Sequence, residues 1–122
     1  MFQSEVFFDT GQAVLLPEGK SELDNVANAL IDLDKQIPSE IAWVLRVDGH
    51  TDVRPINSPV FKSNWELSSA RAISVVKMLI DLGLPPDRLA AAGYGEFRPI
   101  DGRDDEIGWR RNRRIEFKLT NR

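Results

Sequence analysis

Two stretches of helical apolar periodicity, separated by a short run that is apolar on both faces, set the strongest limit on how this chain can fold. Leu23, Val26, Ala27, Leu30 and Leu33 recur at spacings that place them on one helical stripe. Pro17 suits the first turn of that helix and Pro38 stops it. Ala70, Ile73, Val76, Leu79 and Ile80 predict a second stripe. Its helix opens on Ser63-Asn64-Trp65-Glu66, a capping box in which Ser63 accepts from the N–H of Glu66 and Glu66 reaches back to the N–H of Ser63. Gly83 caps the end, and Pro85-Pro86 prevents continuation. Between the helices, Ala42 to Asp48 reads as a strand, apolar on both faces apart from Arg46. Such a strand belongs inside a sheet with at least one face covered by helices.

Three further strands are expected. Ser4 to Phe8 is short, β-branched and aromatic, and Asp9-Thr10-Gly11 ends it. Leu89 to Gly95 is built of alanine and glycine, which are poor strand formers. Arg114 to Leu119 alternates, with Ile115, Phe117 and Leu119 facing a core and Arg114, Glu116 and Lys118 facing water. The order βαβαββ predicts an α/β (α+β) two-layer sandwich: two main helices on one mixed sheet of about four strands. The chain has 122 residues and no internal repeat, which fits a single domain over 1–122.

Composition narrows the function. There is no cysteine, which excludes disulfides, thiol catalysis and cysteine zinc sites. A net charge of −3 argues against a chain built to coat nucleic acid or an anionic membrane. No apolar run approaches the roughly 20 residues of a membrane span. No signal peptide is visible, because Met1 leads almost at once into Val6-Phe7-Phe8. These features fit a complete protein or a domain of a longer one.

The chemistry concentrates at the exit of the second strand, in Asp48-Gly49-His50-Thr51-Asp52. Gly49 permits a sharp turn or a close backbone approach. α/β folds commonly place ligands at strand ends such as that of Asp52. Asn64, Ser68 and Arg71 are spaced four and three apart and share one helical face, read as distinct from the apolar stripe. The helix start favours a carboxylate through its free N–H groups and dipole. Asp52 can hold an ammonium, and Arg71 can hold a carboxylate through two parallel hydrogen bonds. Each charge-assisted bond contributes about 1.5–3 kcal/mol before desolvation is subtracted. The same two residues could equally form a structural salt bridge, and the residues alone leave both readings open.

Other readings compete. Asp48, His50 and Asp52 alternate and could bind a metal, or His50 could act as a base, giving a hydrolase acting on cell-wall material. No activated nucleophile or glycine-rich phosphate loop accompanies them, so His50 is read as ordering the turn. Gly93-Tyr94-Gly95 lacks the further glycine of a dinucleotide site. Arg110, Arg111, Arg113 and Arg114 beside Trp109 suggest nucleic acid, but Asp101, Asp104, Asp105 and Glu106 lie just upstream and repel phosphate. No nucleic-acid partner is therefore expected. Trp43, Trp65 and Trp109 could anchor a partner or a homodimer, although Trp43 and Trp65 are expected in or beside the core.

An ordered set of motifs goes further. Phe7-Phe8-Asp9, Val47-Asp48-Gly49-His50-Thr51-Asp52, and Ser63-Asn64-Trp65-Glu66-Leu67-Ser68-Ser69-Ala70-Arg71-Ala72 follow one another. Arg88-Leu89, Gly93-Tyr94-Gly95-Glu96 with Pro99, and Asn112-Arg113-Arg114-Ile115-Glu116 complete the run. Together they resemble the OmpA-like domain over nearly the whole chain, and its MotB-type, stator-like branch more than its porin branch. The resemblance implies non-catalytic binding of peptidoglycan, without cofactor or metal, in the periplasm or cell envelope of a Gram-negative bacterium. The ligand would be the diaminopimelate of the stem peptide, its ammonium on Asp52 and its carboxylate on Arg71. The resemblance carries lining roles to Asp9, Thr10, Gly11, Thr51, Asn64 and Arg113. It also implies that the chain is a fragment of a longer protein, reaching a membrane only through segments outside it. There are departures. Many members read Gly-Arg-x-x-Asn-Arg-Arg, whereas this chain has Gly108-Trp109-Arg110-Arg111-Asn112-Arg113-Arg114. Asp101 to Ile107 also departs from the stator-like pattern, so no place in a flagellar motor is assigned.

Overall fold

The computed structural model describes residues 1–121. Its elements are β1 (Phe2–Gln3), α1 (Pro17–Asp34), β2 (Trp43–His50), α2 (Asn64–Asp81), β3 (Leu89–Gly93), α3 (Glu106–Asn112) and β4 (Arg114–Asn121), with 3-10 turns at Ser4–Val6 and Pro86–Arg88. The expected two-layer architecture holds. The four strands form one mixed sheet in the order β1-β4-β2-β3. β2 runs parallel to β3 and antiparallel to β4, so the central strand is the one whose sequence is apolar on its inner face.

β2 splits its two faces sharply. Trp43, Leu45 and Val47 enter the core with Leu23 and Ala27 of α1 and Ala72, Val75 and Leu79 of α2. The other face is polar. Arg46 grips Asp48 through Nε at 2.6 Å and Nη2 at 2.9 Å, and His50 stacks on Tyr94 with ring centroids 5.0 Å apart. The expectation of apolar residues on both faces thus fails beyond Arg46, because Asp48 and His50 bury their charge and polarity in a layer of ion pairs.

Five local expectations are corrected. Ser4 to Phe8 is not a strand: β1 ends at Gln3, and a 3-10 turn swings Phe7 and Phe8 into the core. Their bulk serves as a plug, which in sequence mimics a strand. The buried face of α2 is Leu67, Ser68, Arg71, Ala72, Val75 and Leu79, while Ile73 is 45% exposed. Asn64, Ser68 and Arg71 therefore lie on the buried face rather than apart from it. At the α2 start, the Ser63 hydroxyl accepts from Trp65 N–H at 3.2 Å rather than from Glu66, and itself donates to the Glu66 carboxylate. On β4, Arg114 is buried instead of facing water, donating to the carbonyls of Asn112 and Arg98 and to Glu116. α3 lies between the last two strands, where no helix was expected; Asp105 caps it by accepting from Gly108 N–H at 2.9 Å.

Glycine sets how closely α2 approaches the sheet. A Cβ on Gly49 would lie 2.3 Å from the Ser68 carbonyl oxygen, and one on Gly93 would lie 2.6 Å from the Ser69 nitrogen. Both contacts are backbone and cannot yield. Gly49 and Gly93 are register partners in the β2–β3 pair, so the helix rests on a two-glycine saddle at the carboxyl end of the sheet. Gly49 is thus a close-approach glycine inside a strand, not a turn.

Candidate functional site

Past the saddle, β2 releases the chain into a loop. Thr51 N–H donates to Gly95 O at 2.9 Å, and Gly95 N–H donates to Ser68 Oγ at 3.0 Å. The ends of β2 and β3 are thereby tied to α2. Asp52 is the first residue beyond this knot, and its carboxylate opens a turn by accepting from the Arg54 N–H at 2.9 Å. The Asn64 side chain pins the same turn from the helix start, donating to the Arg54 carbonyl at 3.0 Å.

The turn forms one wall of a cleft of about 500 Å³. Thr51, Asp52, Asn64, Arg71, Thr10, Gly11 and Arg113 all line it, so seven of the eight residues singled out from the sequence converge there. Asp9 does not line the cleft. It contributes through its backbone carbonyl, which accepts from Arg71 Nη2 at 3.0 Å. The lining also includes residues that sequence reasoning missed: Glu5, Phe8, Arg54, Ile56 and Glu106 among them. The Asp52-Val53-Arg54-Pro55 turn and the Asp105 cap carried signals for Arg54 and Glu106. Glu5 and Phe8 had none, because both depend on the misread first segment.

The charges are wired unequally. Arg71 is 4% exposed and lies over the Phe8 ring, with 5.1 Å from guanidinium carbon to centroid. Its Nε donates to Gln12 O at 2.7 Å and its Nη2 to Asp9 O. Among the described residues it makes no ion pair. Burial pushes its pKa down to about 10, opposed by the nearby charge of Glu5. It therefore remains a cation at neutral pH, held by carbonyls rather than by a counter-ion.

Asp52 is the opposite case. The Arg54 Nη2 and Arg113 Nη1 atoms each donate to its Oδ2 at 2.8 Å. Burial disfavours its charge, but the hydrogen bonds from the Arg54 and Arg113 side chains and from the Arg54 backbone outweigh that and hold its carboxyl below the ordinary value. Arg113 also donates to Glu5 at 2.7 Å and Glu106 at 3.1 Å. The Asp52–Arg71 salt bridge considered from the sequence is not formed: Asp52 pairs with Arg54 and Arg113 instead.

Asp48, His50 and Asp52 do not share a task. Asp48 is paired with Arg46, and Asp52 with two arginines. His50 Nε2 lies 3.6 Å from Glu116, and Nδ1 is buried without a hydrogen-bond partner among the described residues. Burial and then the charge of Arg114 push its pKa down to about 4. Among the described residues no group of three or more carboxylates and histidines is arranged to hold a metal. Trp65, expected in or beside the core, is half-exposed and stacks on Phe97. Trp43 is buried and donates to Asp34 at 2.8 Å. Trp109 lies against Arg54, whose guanidinium carbon is 4.4 Å from its ring centroid.

A two-layer α/β domain with a mixed-charge, ligand-sized cleft at the carboxyl end of its central strand is the class this molecule defines. Within that class, the model of the OmpA family matches residues 7–113, and the chain belongs to that family. The protein YtxE of Bacillus subtilis is 36% identical over 98% of this chain and 46% of its own length. Motility protein B of the same organism is 32% identical over 98% of this chain and 44% of its own. The chain thus spans about half the length of these relatives. The crystal structure of a MotB-like protein from Desulfovibrio vulgaris superposes with a TM-score of 0.85 at 30% identity, covering 98% of this chain and 73% of that one.

Proposed function

We propose that this domain binds peptidoglycan without performing chemistry on it, by gripping the zwitterionic end of a diaminopimelate residue in the stem peptide. The observation that carries the reading is Arg71: a buried guanidinium, aimed at a cleft, with carbonyls on two of its donors and no carboxylate among the described residues. A buried cation costs free energy unless its charge is answered, and a ligand carboxylate answers it. Asp52, across the same cleft, supplies the charge that an ammonium needs. Thr10, Gly11, Thr51 and Asn64 shape the walls, and Arg113 holds Asp52 in place. Family membership supports a wall-binding role and agrees with the motif resemblance.

On this reading the domain is the wall-facing part of a longer envelope protein and anchors it to the wall. The relatives in Bacillus subtilis widen the setting from a Gram-negative periplasm to the wall-facing side of bacterial envelopes more generally. The test is co-sedimentation with purified sacculi. Wild type is expected to pellet with diaminopimelate-containing walls. Arg71→Lys is expected to lose most of that binding, since a point charge does not reproduce the guanidinium fork. Equal pelleting of both proteins would remove Arg71 from the site. Incubation with the same walls is expected to release no new muropeptides, and release abolished by His50→Gln would return the hydrolase reading.

A further inference from the structure

The proposed ammonium subsite already holds a cation of the chain's own. Arg54 Nη2 lies 2.8 Å from Asp52 Oδ2, and its Nε lies 3.3 Å from both carboxylate oxygens. The far side of the guanidinium rests on the Trp109 ring, 4.4 Å from its centroid. Seen from Asp52, this is a cation between a carboxylate and an aromatic face, the arrangement an ammonium ligand would seek. We propose that Arg54 is a displaceable internal occupant of the ammonium subsite, which a ligand ammonium must replace to reach Asp52. This inference rests on the reading of Asp52 and Arg71 given above.

Three observations separate Arg54 from Arg113, the other cation on Asp52. Arg113 is tied to three carboxylates, those of Asp52, Glu5 and Glu106, and its side chain is 18% exposed. Arg54 has one carboxylate partner among the described residues, and its side chain is 48% exposed. Its backbone, moreover, is fixed independently of its side chain: the N–H donates to Asp52 at 2.9 Å and the carbonyl accepts from Asn64 at 3.0 Å. The guanidinium can therefore swing into water while the turn stays in place. Asp52 would keep the Arg54 N–H and Arg113 as donors, so the exchange leaves no buried carboxylate stripped. Trp109 explains the arrangement from the other side. The motif resemblance expects an arginine at that position, and a second cation there would repel Arg54, whereas an indole gives it a seat.

The consequence is selectivity between the two halves of a ligand. The Arg71 half has no ion-pair partner among the described residues and takes a carboxylate without displacing one, while the Asp52 half carries a competition cost. A half-exposed ion pair together with an aromatic seat biases an equilibrium by a factor of about three to ten. That bias reduces apparent affinity by the same factor.

The experiment is calorimetric titration of wild type, Arg54→Gln and Asp52→Ala with meso-diaminopimelate, and with pimelate, the same dicarboxylate without its amino groups. Arg54→Gln is expected to bind diaminopimelate about three- to tenfold more tightly than wild type. Pimelate, which has no use for Asp52, is expected to bind Arg54→Gln no better than wild type. Weaker binding of both compounds to Arg54→Gln would make Arg54 a ligand contact and overturn the proposal. So would equal diaminopimelate affinities in wild type and Arg54→Gln; if Asp52→Ala still abolished binding, the function proposed above would stand alone. Diaminopimelate binding that ignores Asp52→Ala, or no binding to either wild type or Arg54→Gln, would remove both readings. Thermal melts of the half-exposed Arg54→Gln variant confirm that each comparison is between folded proteins.

Discussion

The two walls of the cleft are held by different forces. On the α2 wall, Arg71 is locked between a phenyl ring and two backbone carbonyls, and the helix beneath it sits on glycines that admit no side chain. On the loop wall, Asp52, Arg54, Arg113, Glu5 and Glu106 form a network of ion pairs at the edge of water. One wall is set by close packing, which is insensitive to salt. The other is set by charges that trade partners at small cost. On the function proposed above, the packed wall is the end that orients a ligand and the charged wall the end that discriminates.

The contrast can be broken most severely at the saddle. Gly49→Ala is expected to destabilise the fold by about 3 kcal/mol, because its Cβ meets the Ser68 backbone rather than a flexible side chain. Chemical denaturation measures this, and a loss under about 1 kcal/mol would mean that the α2 wall is softer than close packing implies.

The polar face of the sheet gives a pH signature of similar size. His50 has a folded pKa of about 4 against an ordinary 6.5, so the folded state resists protonation that the unfolded chain accepts. Its stabilising contribution is complete above about pH 6.5 and is lost progressively as pH falls towards about 4. The loss amounts to roughly 2–3 kcal/mol. Unfolding followed between pH 7 and 4 should show this slope in wild type and a flatter one in His50→Gln; parallel slopes would place the acid sensitivity elsewhere.

On the loop wall the effects should be smaller. Arg113→Gln removes the link among Asp52, Glu5 and Glu106 and is expected to cost about 1–2 kcal/mol, a loss that shrinks in high salt. Arg54→Gln is expected to cost less than about 1 kcal/mol, since its pair is half exposed. Equal losses for the two variants would erase the distinction between the anchored and the displaceable arginine.

The same contrast explains what could be read from the sequence. Elements made by periodic apolar packing were legible: α1, α2, β2 and β4 lie where apolar spacing placed them. The buried face of α2 was misplaced by one position because serine and arginine share it, and apolar periodicity does not count them. α3 escaped notice because it is about two turns long, with its isoleucine exposed. Asp52 and Arg71 were legible as chemistry. Glu5 and the links of Arg113 to Glu5 and Asp52 were not, since these ion pairs join residues far apart in sequence and only the folded chain brings them together.

The central claim is that Arg71 and Asp52 together hold a diaminopimelate-containing ligand. Its most direct measurement is calorimetric titration of a diaminopimelate-containing muropeptide into wild type and the Arg71→Lys and Asp52→Ala variants, each verified as folded. Binding to wild type, with both substitutions weakening it by tenfold or more (~1.4 kcal/mol), is the predicted result. Affinities unchanged by either substitution would contradict the account and place the ligand elsewhere on the domain.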